Sequence, residues 1–172
     1  MTAASGPKAK ALDCFRDTLA DCTSFRTWVG ASGDDAQAIA LSRIHKRTTP
    51  PPEDGRVFGV DELRDLRPYA VIWCERFSTP KVAEPQTFGE EGEFTVHFVQ
   101  DIAPSLEDDE AETLHVMDNL VGDVMSDMSA LAATGGYLAV TGFESEDPGL
   151  GAPDEESAQG DIAWVEMTVR IG

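Results

Sequence analysis

One segment of the sequence holds the residue types that bind metal ions. The residues PSLEDDEAETLH, from Pro104 to His115, include five carboxylates and one histidine. Glu112 and His115 are three positions apart in this segment, and enzymes with two metal ions use this Glu-x-x-His spacing on the helices of a bundle. The chemistry to be tested is therefore metal-dependent hydrolysis. Such a site needs a second motif on a facing helix, and the sequence contains no other Glu-x-x-His.

The helix that would carry these two residues turns them away from its apolar side. The sequence predicts this helix from Ser105 to about Ala133, because apolar residues recur there at steps of three and four. The apolar residues of this stripe are Leu114, Met117, Val121, Val124, Met128 and Leu131. At about 100° per residue, Glu112 and His115 lie well over a quarter turn from the centre of the stripe. We therefore expect both side chains to face water.

The acidic residues at the start of this helix have a simpler explanation than metal binding. Ser105, followed three residues later by Asp108, resembles a capping box. The carboxylates from Glu107 to Glu110 lie in the first turn, where unpaired backbone amides and the helix dipole favour negative charge. We interpret the segment as a helix start and predict no metal ligand in it.

No other part of the sequence offers catalytic chemistry. His45 stands beside a lysine and an arginine, and His97 falls on the polar side of a predicted strand, so we expect both to be surface residues. Residues 29–33, VGASG, do not complete a Gly-x-Ser-x-Gly nucleophile motif, follow a predicted helix rather than a strand, and are interpreted as a turn. Neither glycine-rich segment, 134–136 or 149–151, leads into a phosphate-binding loop. The sequence thus predicts no catalytic residue, no cofactor site and no metal site, and hence no enzyme.

The charge of the chain restricts its partners. Its 32 acidic and 13 basic residues give a formal net charge of -19, which disfavours binding to the phosphates of nucleic acids. All basic residues except Arg170 lie between Lys8 and Lys81. This asymmetry suits head-to-tail contacts between subunits, in which a basic patch on one copy meets an acidic patch on the next. The alternative is an acidic surface that only keeps the chain soluble.

The cysteines and the apolar runs indicate the compartment. Cys14, Cys22 and Cys74 are an odd number of thiols without the spacing of a metal site, which is typical of a reducing compartment and of thiols used as small apolar residues. The first residues contain no apolar signal region, and no run approaches the roughly 18 apolar residues of a membrane span. We expect a cytosolic or assembly-borne protein.

The order of helical and strand patterns predicts the fold class. Shorter helical patterns extend from about Ser5 to Asp21, from Ser24 to Ala31 and from Asp35 to Ile44. Strands are predicted from Tyr69 to Phe77, from Glu93 to Gln100, from Tyr137 to Phe143 and from Asp161 to Ile171, the last two paired with each other. This order predicts an α+β fold, a mainly antiparallel or mixed sheet of four to five strands with helices packed on one face. The 172 residues fit one domain, residues 1–172.

The strands differ in their predicted surroundings. The nearly continuous apolar run from Tyr69 to Phe77 predicts a central strand. From Glu93 to Gln100 apolar and polar residues alternate, which predicts one buried face and one wet face. In the last strand, Trp164 lies opposite the apolar side, and we expect it to contact either a partner or a covering loop.

Three segments are predicted to be extended loops, namely residues 50–66, 78–92 and 144–160. The first contains three consecutive prolines, which continue neither helix nor sheet. The last is rich in glycine, proline and acid, so it cannot bury itself and is predicted to be flexible or ordered by a partner. We expect residues 78–92 and 144–160 to make contacts with neighbouring subunits.

Several local motifs follow one another in a recognisable order. These motifs are Arg43-Ile44-His45 in a short basic strand, Val71-Ile72-Trp73-Cys74-Glu75 in an aromatic strand, and Tyr137-Leu138-Ala139-Val140 and Val169-Arg170-Ile171-Gly172 in the closing strands. A helix precedes them, and a second strand and the long acidic-capped helix lie between the aromatic strand and the closing pair. This arrangement resembles the tail terminator proteins of long-tailed bacteriophages over nearly the whole chain.

The resemblance implies a structural role in the virion. Proteins of this family are small α+β subunits that assemble into a hexameric ring, cap the head-proximal end of the tail tube and dock to the filled head. The implied partners are other copies of the chain, the major tail tube protein and a neck or head-closure protein. Genomic DNA would pass through the ring without specific binding, and no membrane is involved. This sequence is longer than many such subunits, and we expect residues 50–66 and 144–160 to be the additional segments.

Three alternatives stay open from the sequence alone. The nearest alternative is another connector of the same assembly, such as a head-closure subunit. A metal-dependent hydrolase built on Glu112 and His115 is the enzyme alternative. A small-ligand binding module is a third possibility, although the sequence offers no set of polar residues that converge on a pocket.

Overall fold

The computed structural model describes residues 6–47, 67–78, 81–83, 87–88, 91–101, 109–135, 139–150 and 162–172. Within these residues the helices are α1 Pro7–Asp21, α2 Thr23–Trp28, α3 Ala36–Ser42 and α4 Asp109–Thr134. The strands are β1 Ile44–Lys46, β2 Tyr69–Ser78, β3 Lys81–Ala83, β4 Thr87–Phe88, β5 Glu91–Asp101, β6 Val140–Ser145, β7 Gly149–Leu150 and β8 Ile162–Ile171. The predicted α+β class is confirmed.

The main sheet is mixed and has six strands, one more than the largest number predicted. Its order is β1-β2-β5-β8-β6, and the short β7 pairs with β8 beside β6. β1 is parallel to β2, whereas the other pairs are antiparallel. β2 lies inside the sheet and is buried from Tyr69 to Cys74, so the predicted central strand is confirmed. β3 and β4 form a separate two-stranded sheet.

The core lies between the described helices and one face of the sheet. Alternate residues of the interior strands contribute to it, including Phe94, Val96 and Phe98 of β5, as the alternation of a strand requires. Phe15 of α1 stacks on Phe94 with ring centroids 5.2 Å apart. Burial of one such side chain is worth about 1.5–3 kcal/mol relative to its exposure. This packing holds α1 over β1 and β2 and α4 over β8 and β6.

The apolar stripe of α4 faces this core as predicted. Met117, Val121, Val124 and Met128 are each no more than 3% exposed. The outer members of the predicted stripe, Leu114 and Leu131, are half-buried. The stripe therefore centres on the middle of the helix, and the opposite side of α4 is left to solvent.

The local sequence explains where the shorter helices begin and end. α1 begins at Pro7, whose fixed φ suits the first turn and whose missing N–H has no partner there. Gly30 and Gly33 after α2 have φ of 72° and 75°, a left-handed conformation that glycine adopts without strain. The interpretation of residues 29–33 as a turn is confirmed. α3 lies inside the region predicted to be helical.

The second face of the sheet is buried, which corrects a prediction. Thr95 is 1% exposed and His97 is 2% exposed, so this face of β5 is not wet and His97 is not a surface residue. Tyr69 and Trp73 of β2 are fully buried on the same face, and Trp164 of β8 packs against their cluster. The alternation of apolar and polar residues in β5 shows only that its two faces differ. The polar residues of the second face are buried because large aromatic side chains on the neighbouring strands enclose them.

The predicted loops differ in how far the structure describes them. Residues 50–66 lie outside the described residues, as do Ser105 to Asp108 of the predicted capping box. Between 78 and 92, β3 and β4 pair with each other, so this segment contains its own hairpin. The segment 144–160 begins inside β6, and its Gly149 pairs with Trp164. The prediction of an irregular loop is thus wrong for the start of this segment, and residues 151–160 are not described.

The thiols behave as small apolar residues. Cys22 and Cys74 are buried, and Cys14 is half-buried. Burial, with smaller contributions from Asp127 and Asp21, raises the pKa of Cys22 to about 12. The predicted use of these cysteines in packing is confirmed. In the described part of the chain, no helix is long and apolar enough to cross a membrane.

Candidate functional site

The two residues of the Glu-x-x-His motif lie on the surface of α4. Glu112 and His115 are both exposed, so their predicted orientation away from the core is confirmed. Among the described residues, no group of three or more His, Cys, Asp or Glu side chains is arranged to hold a metal ion. The motif is therefore not joined by further ligands from the described elements.

A row that contains two histidines and a glutamate crosses the buried second face of the sheet, and sequence reasoning missed it. His45, Val71, His97 and Glu166 are register partners across β1, β2, β5 and β8. Nδ1 of His97 lies 4.0 Å from Oε2 of Glu166. The ring of Trp164 lies 5.1 Å from the His97 ring. Only the register of strands far apart in sequence brings these residues together, so no local spacing could have revealed the row.

The groups at the β1 end of this row are held in their neutral forms. The rings of His45 and Tyr69 meet edge to face with centroids 5.8 Å apart. Burial lowers the pKa of His45, and Arg43 lowers it further. Burial is also the largest cause that raises the pKa of Tyr69 to about 12. A neutral imidazole and a neutral phenol packed against each other stabilise the sheet face and supply no charged group for binding.

The exposed charges are divided between the two ends of the sheet. Residues 6–47, which form α1 to α3 and β1, contain seven lysines and arginines and five aspartates. Residues 109–135 and 139–150, which form α4, β6 and β7, contain nine carboxylates and no lysine or arginine. Because α1 lies over β1 and β2 while α4 lies over β8 and β6, the helices that begin and end this division lie over opposite ends of the same sheet face.

The basic end can be defined by four side chains. We call these four the basic edge. They are Lys8 and Lys10 at the start of α1, Lys46 at the end of β1, and Arg47, which follows it. Lys46 forms an ion pair with Asp13 of α1, and Lys8 is close enough to β2 to affect the pKa of a cysteine there. Lys8 and Lys10 are exposed. Among the described residues, no acidic group lies within ion-pair distance of Lys8, Lys10 or Arg47.

The acidic end carries a stripe on the outer side of α4. Glu112, Val116, Asn119 and Asp123, here called the acidic stripe, follow one another at steps of four, three and four, and therefore lie on one side of the helix. Val116 is 44% exposed, and Glu112 and Asp123 are exposed. Neither carboxylate has an ion-pair partner in the described part of the chain.

A groove runs between this stripe and α2. Its volume is about 540 Å³, and its lining includes Trp28 and Thr27 of α2 with Val116, Leu120 and Asp123 of α4. Among the lining residues that the structure describes, none is a lysine or an arginine. The groove therefore combines apolar walls with a negative rim, a composition that fits a cationic side chain with an apolar stem.

Asp127 fixes the two walls of the groove relative to each other. Its Oδ2 accepts hydrogen bonds from the backbone N of Ser24 at 2.8 Å and from the Ser24 hydroxyl at 2.7 Å. A carboxylate from α4 therefore provides the hydrogen-bond partner for a backbone amide in the first turn of α2. On the sheet side, Nε1 of Trp28 donates to Oε1 of Gln100 at 2.7 Å. The groove is thus preformed by contacts within one chain.

A second cavity, of about 450 Å³, lies at the other end of the strands and is lined mostly by polar residues. Its two arginines are already paired with carboxylates. Arg76 contacts Glu93 at 3.2 Å, and Arg170 contacts Glu93 at 3.7 Å and Glu144 at 2.5 Å. This network links β2, β5, β8 and β6 and leaves neither arginine without an acidic partner.

No protein-family model matches this chain, and no curated protein sequence matches it. The assignment of a function therefore depends on the residues and surfaces of the chain itself.

Proposed function

We propose that this chain is a structural subunit of a bacteriophage virion that forms a ring, caps the head-proximal end of the tail tube and joins the tail to the head. The observation that carries the proposal is the division of charge between the two ends of one sheet. It occurs on a chain whose order of elements resembles the tail terminator proteins.

Charge divided in this way supports a ring rather than a two-fold dimer. In a two-fold dimer both copies use the same patch, so an interface that contains only the acidic stripe would place it against another acidic stripe. In a head-to-tail contact the acidic stripe of one subunit meets the basic edge of the next, which lowers the electrostatic energy of the interface. Repetition of such a contact closes into a ring when the rotation permits.

The edge strands supply a further means of contact. β6 forms one end of the described strand order, and its outer backbone groups have no strand partner within that order. Such an edge can extend the sheet of a neighbour. Glu144 on β6 is exposed, and a charged residue on an edge strand limits unselective pairing. An edge of this kind fits a subunit that pairs with a chosen neighbour in an assembly.

The excess of negative charge fits the passage of DNA. A ring lined by carboxylates has no cations to bind phosphates, so DNA would move through it without adhering. The proposed partners are therefore other copies of the chain, the major tail tube protein and a neck or head-closure protein. The proposed location is the neck or tail of the virion.

Electron microscopy tests the proposal directly. The purified chain is imaged in negative stain, alone and after mixing with tail tubes assembled from the major tube protein. The proposal requires rings, hexameric by the resemblance, seated on one end of each tube, and tubes that stop growing when the chain is present. Rings that leave tube ends bare but bind purified head connectors would assign the chain to the head-closure class instead. A chain that forms no ring under either condition would refute both assignments.

A further inference from the structure

We propose that the groove between α2 and α4, with the acidic stripe at its rim, binds the basic edge of a second copy of this chain. This inference rests on the proposed ring and identifies the two surfaces by which neighbouring subunits meet. The occupant of the groove is therefore the start of α1 of the next subunit, with Lys8 and Lys10.

Several charges on the two surfaces have no ion-pair partner among the described residues of one chain, although Lys46 of the basic edge pairs with Asp13. Arg26, Arg67, Arg76 and Arg170 form ion pairs with carboxylates of the same molecule. Glu112 and Asp123 on the acidic stripe form none within the described residues, nor do Lys8 and Lys10. A second copy bound head to tail pairs complementary charges at opposite ends of one molecule in a single contact.

The apolar part of the groove favours protein as the occupant. Val116 is 44% exposed and stands between the two carboxylates of the acidic stripe, so this side of α4 presents an apolar group between two negative ones. Leu120 and Trp28 line the groove beside it. A lysine that enters from a neighbouring helix covers these apolar groups with its methylene stem and places its ammonium at the acidic rim.

Geometry also supports a rigid receptor surface. Asp127 binds the first turn of α2 through two hydrogen bonds, so contacts within one chain already hold the two walls of the groove together. The start of α1 is exposed from Pro7 to Lys10. A preformed groove that meets the end of a helix loses little conformational entropy on binding.

Charge reversal at each surface tests the pairing. The acidic-stripe variant is Glu112→Lys with Asp123→Lys, and the basic-edge variant is Lys8→Glu with Lys10→Glu. Glutamate in the first turn of α1 suits the helix dipole, so the second variant keeps its fold. Asp118→Lys with Asp34→Lys is the matched control, because Asp118 lies on the other side of α4 and both carboxylates are exposed. Circular dichroism verifies folding, and Asp123→Asn is a milder variant with the same expected direction.

The readout is the oligomeric state, measured by light scattering over a range of protein concentrations. We expect each reversed variant to need a concentration at least about tenfold higher than wild type for assembly, while the control assembles like wild type. An equimolar mixture of the two variants should assemble again as alternating copies, because the intact edge of one variant meets the intact stripe of the other, and their two reversed surfaces also carry opposite charges. A chain that carries all four reversals should assemble again, since both charges at the contact are exchanged.

The outcomes separate this inference from the proposed function. If wild type forms rings and both reversed variants form them equally well, the ring stands and the assigned surfaces are wrong. The inference is also overturned if the acidic-stripe variant forms rings but no longer binds tail tubes, since the groove then receives the tube protein. If wild type forms no ring, alone or on tubes, the proposed function itself fails.

Discussion

Trp164 provides a sharp test of how β7 covers the second face of the sheet. The backbone of Gly149 packs directly on the indole, and a Cβ added at this glycine would lie 2.5 Å from Cζ2 and 2.6 Å from Cε2 of Trp164. Ordinary contacts between carbon atoms are about 3.5–4.0 Å. The change Gly149→Ala therefore forces β7 or the indole to move by about 1 Å.

The magnitude follows from two opposing contributions. Overpacking of this kind lowers the free energy of unfolding by about 1–3 kcal/mol. Alanine also reduces the conformational entropy of the unfolded chain, which raises the free energy of unfolding by about 0.4–1 kcal/mol. We expect Gly149→Ala to lower the free energy of unfolding by about 1–2 kcal/mol. For a chain of this length that corresponds to a Tm lower by about 2–8 °C.

The assay is urea unfolding and thermal unfolding of matched variants. Gly142→Ala on β6 is the control, because no heavy atom lies within 4 Å of its added Cβ, and it should change stability by no more than about 0.5 kcal/mol. The change Trp164→Leu removes the obstacle, so Gly149→Ala should cost little in that background. Equal effects of Gly149→Ala in both backgrounds would show that contact with the indole is not the cause, and would refute this account of β7.

Three further predictions concern other parts of the fold. Asp127→Ala removes both hydrogen bonds to the start of α2 and should cost about 1–2 kcal/mol of unfolding free energy, whereas Asp123→Ala should leave chemical denaturation nearly unchanged. Thiol labelling followed by mass spectrometry at mild alkaline pH should modify the half-buried Cys14 well before Cys22, whose pKa is raised to about 12; equal rates in the folded chain would contradict its burial. The pKa of His45 is lowered in the folded chain, so its contribution to stability is complete above the ordinary value near 6.5 and is lost as pH falls below it. Denaturation at pH 7 and pH 5 should therefore show a smaller acid loss for His45→Asn than for wild type.

The helices and central strands could be predicted because their periodicity is local. The stripe from Met117 to Met128 repeats at helical steps, and burial in the structure follows it closely. The alternation in β5 gave the correct strand and the correct core face. Both signals depend on residues a few positions apart, which an isolated segment already contains.

The buried second face could not be predicted because it depends on register between distant segments. Nothing near His97 in sequence indicates that Glu166 lies opposite it or that Trp164 lies beside it. The pairing of Gly149 with Trp164 likewise joins a glycine-rich segment to a strand that follows it. The composition of that segment predicted a loop. A strand of two residues is too short to show the alternation of apolar and polar residues that would have indicated it.

The burial of both sheet faces limits where a neighbouring subunit can bind. α1 and α4 cover one face, and the second face is already closed around Trp73 and His97, which are no more than 2% exposed. Face-to-face stacking of two sheets would require this second face to open and expose its aromatic residues. Contacts that leave the fold intact must therefore use the strand edges and the outer sides of the helices. The acidic stripe and the basic edge lie on such surfaces, at opposite ends of the sheet, and a head-to-tail contact uses both without disturbing the core.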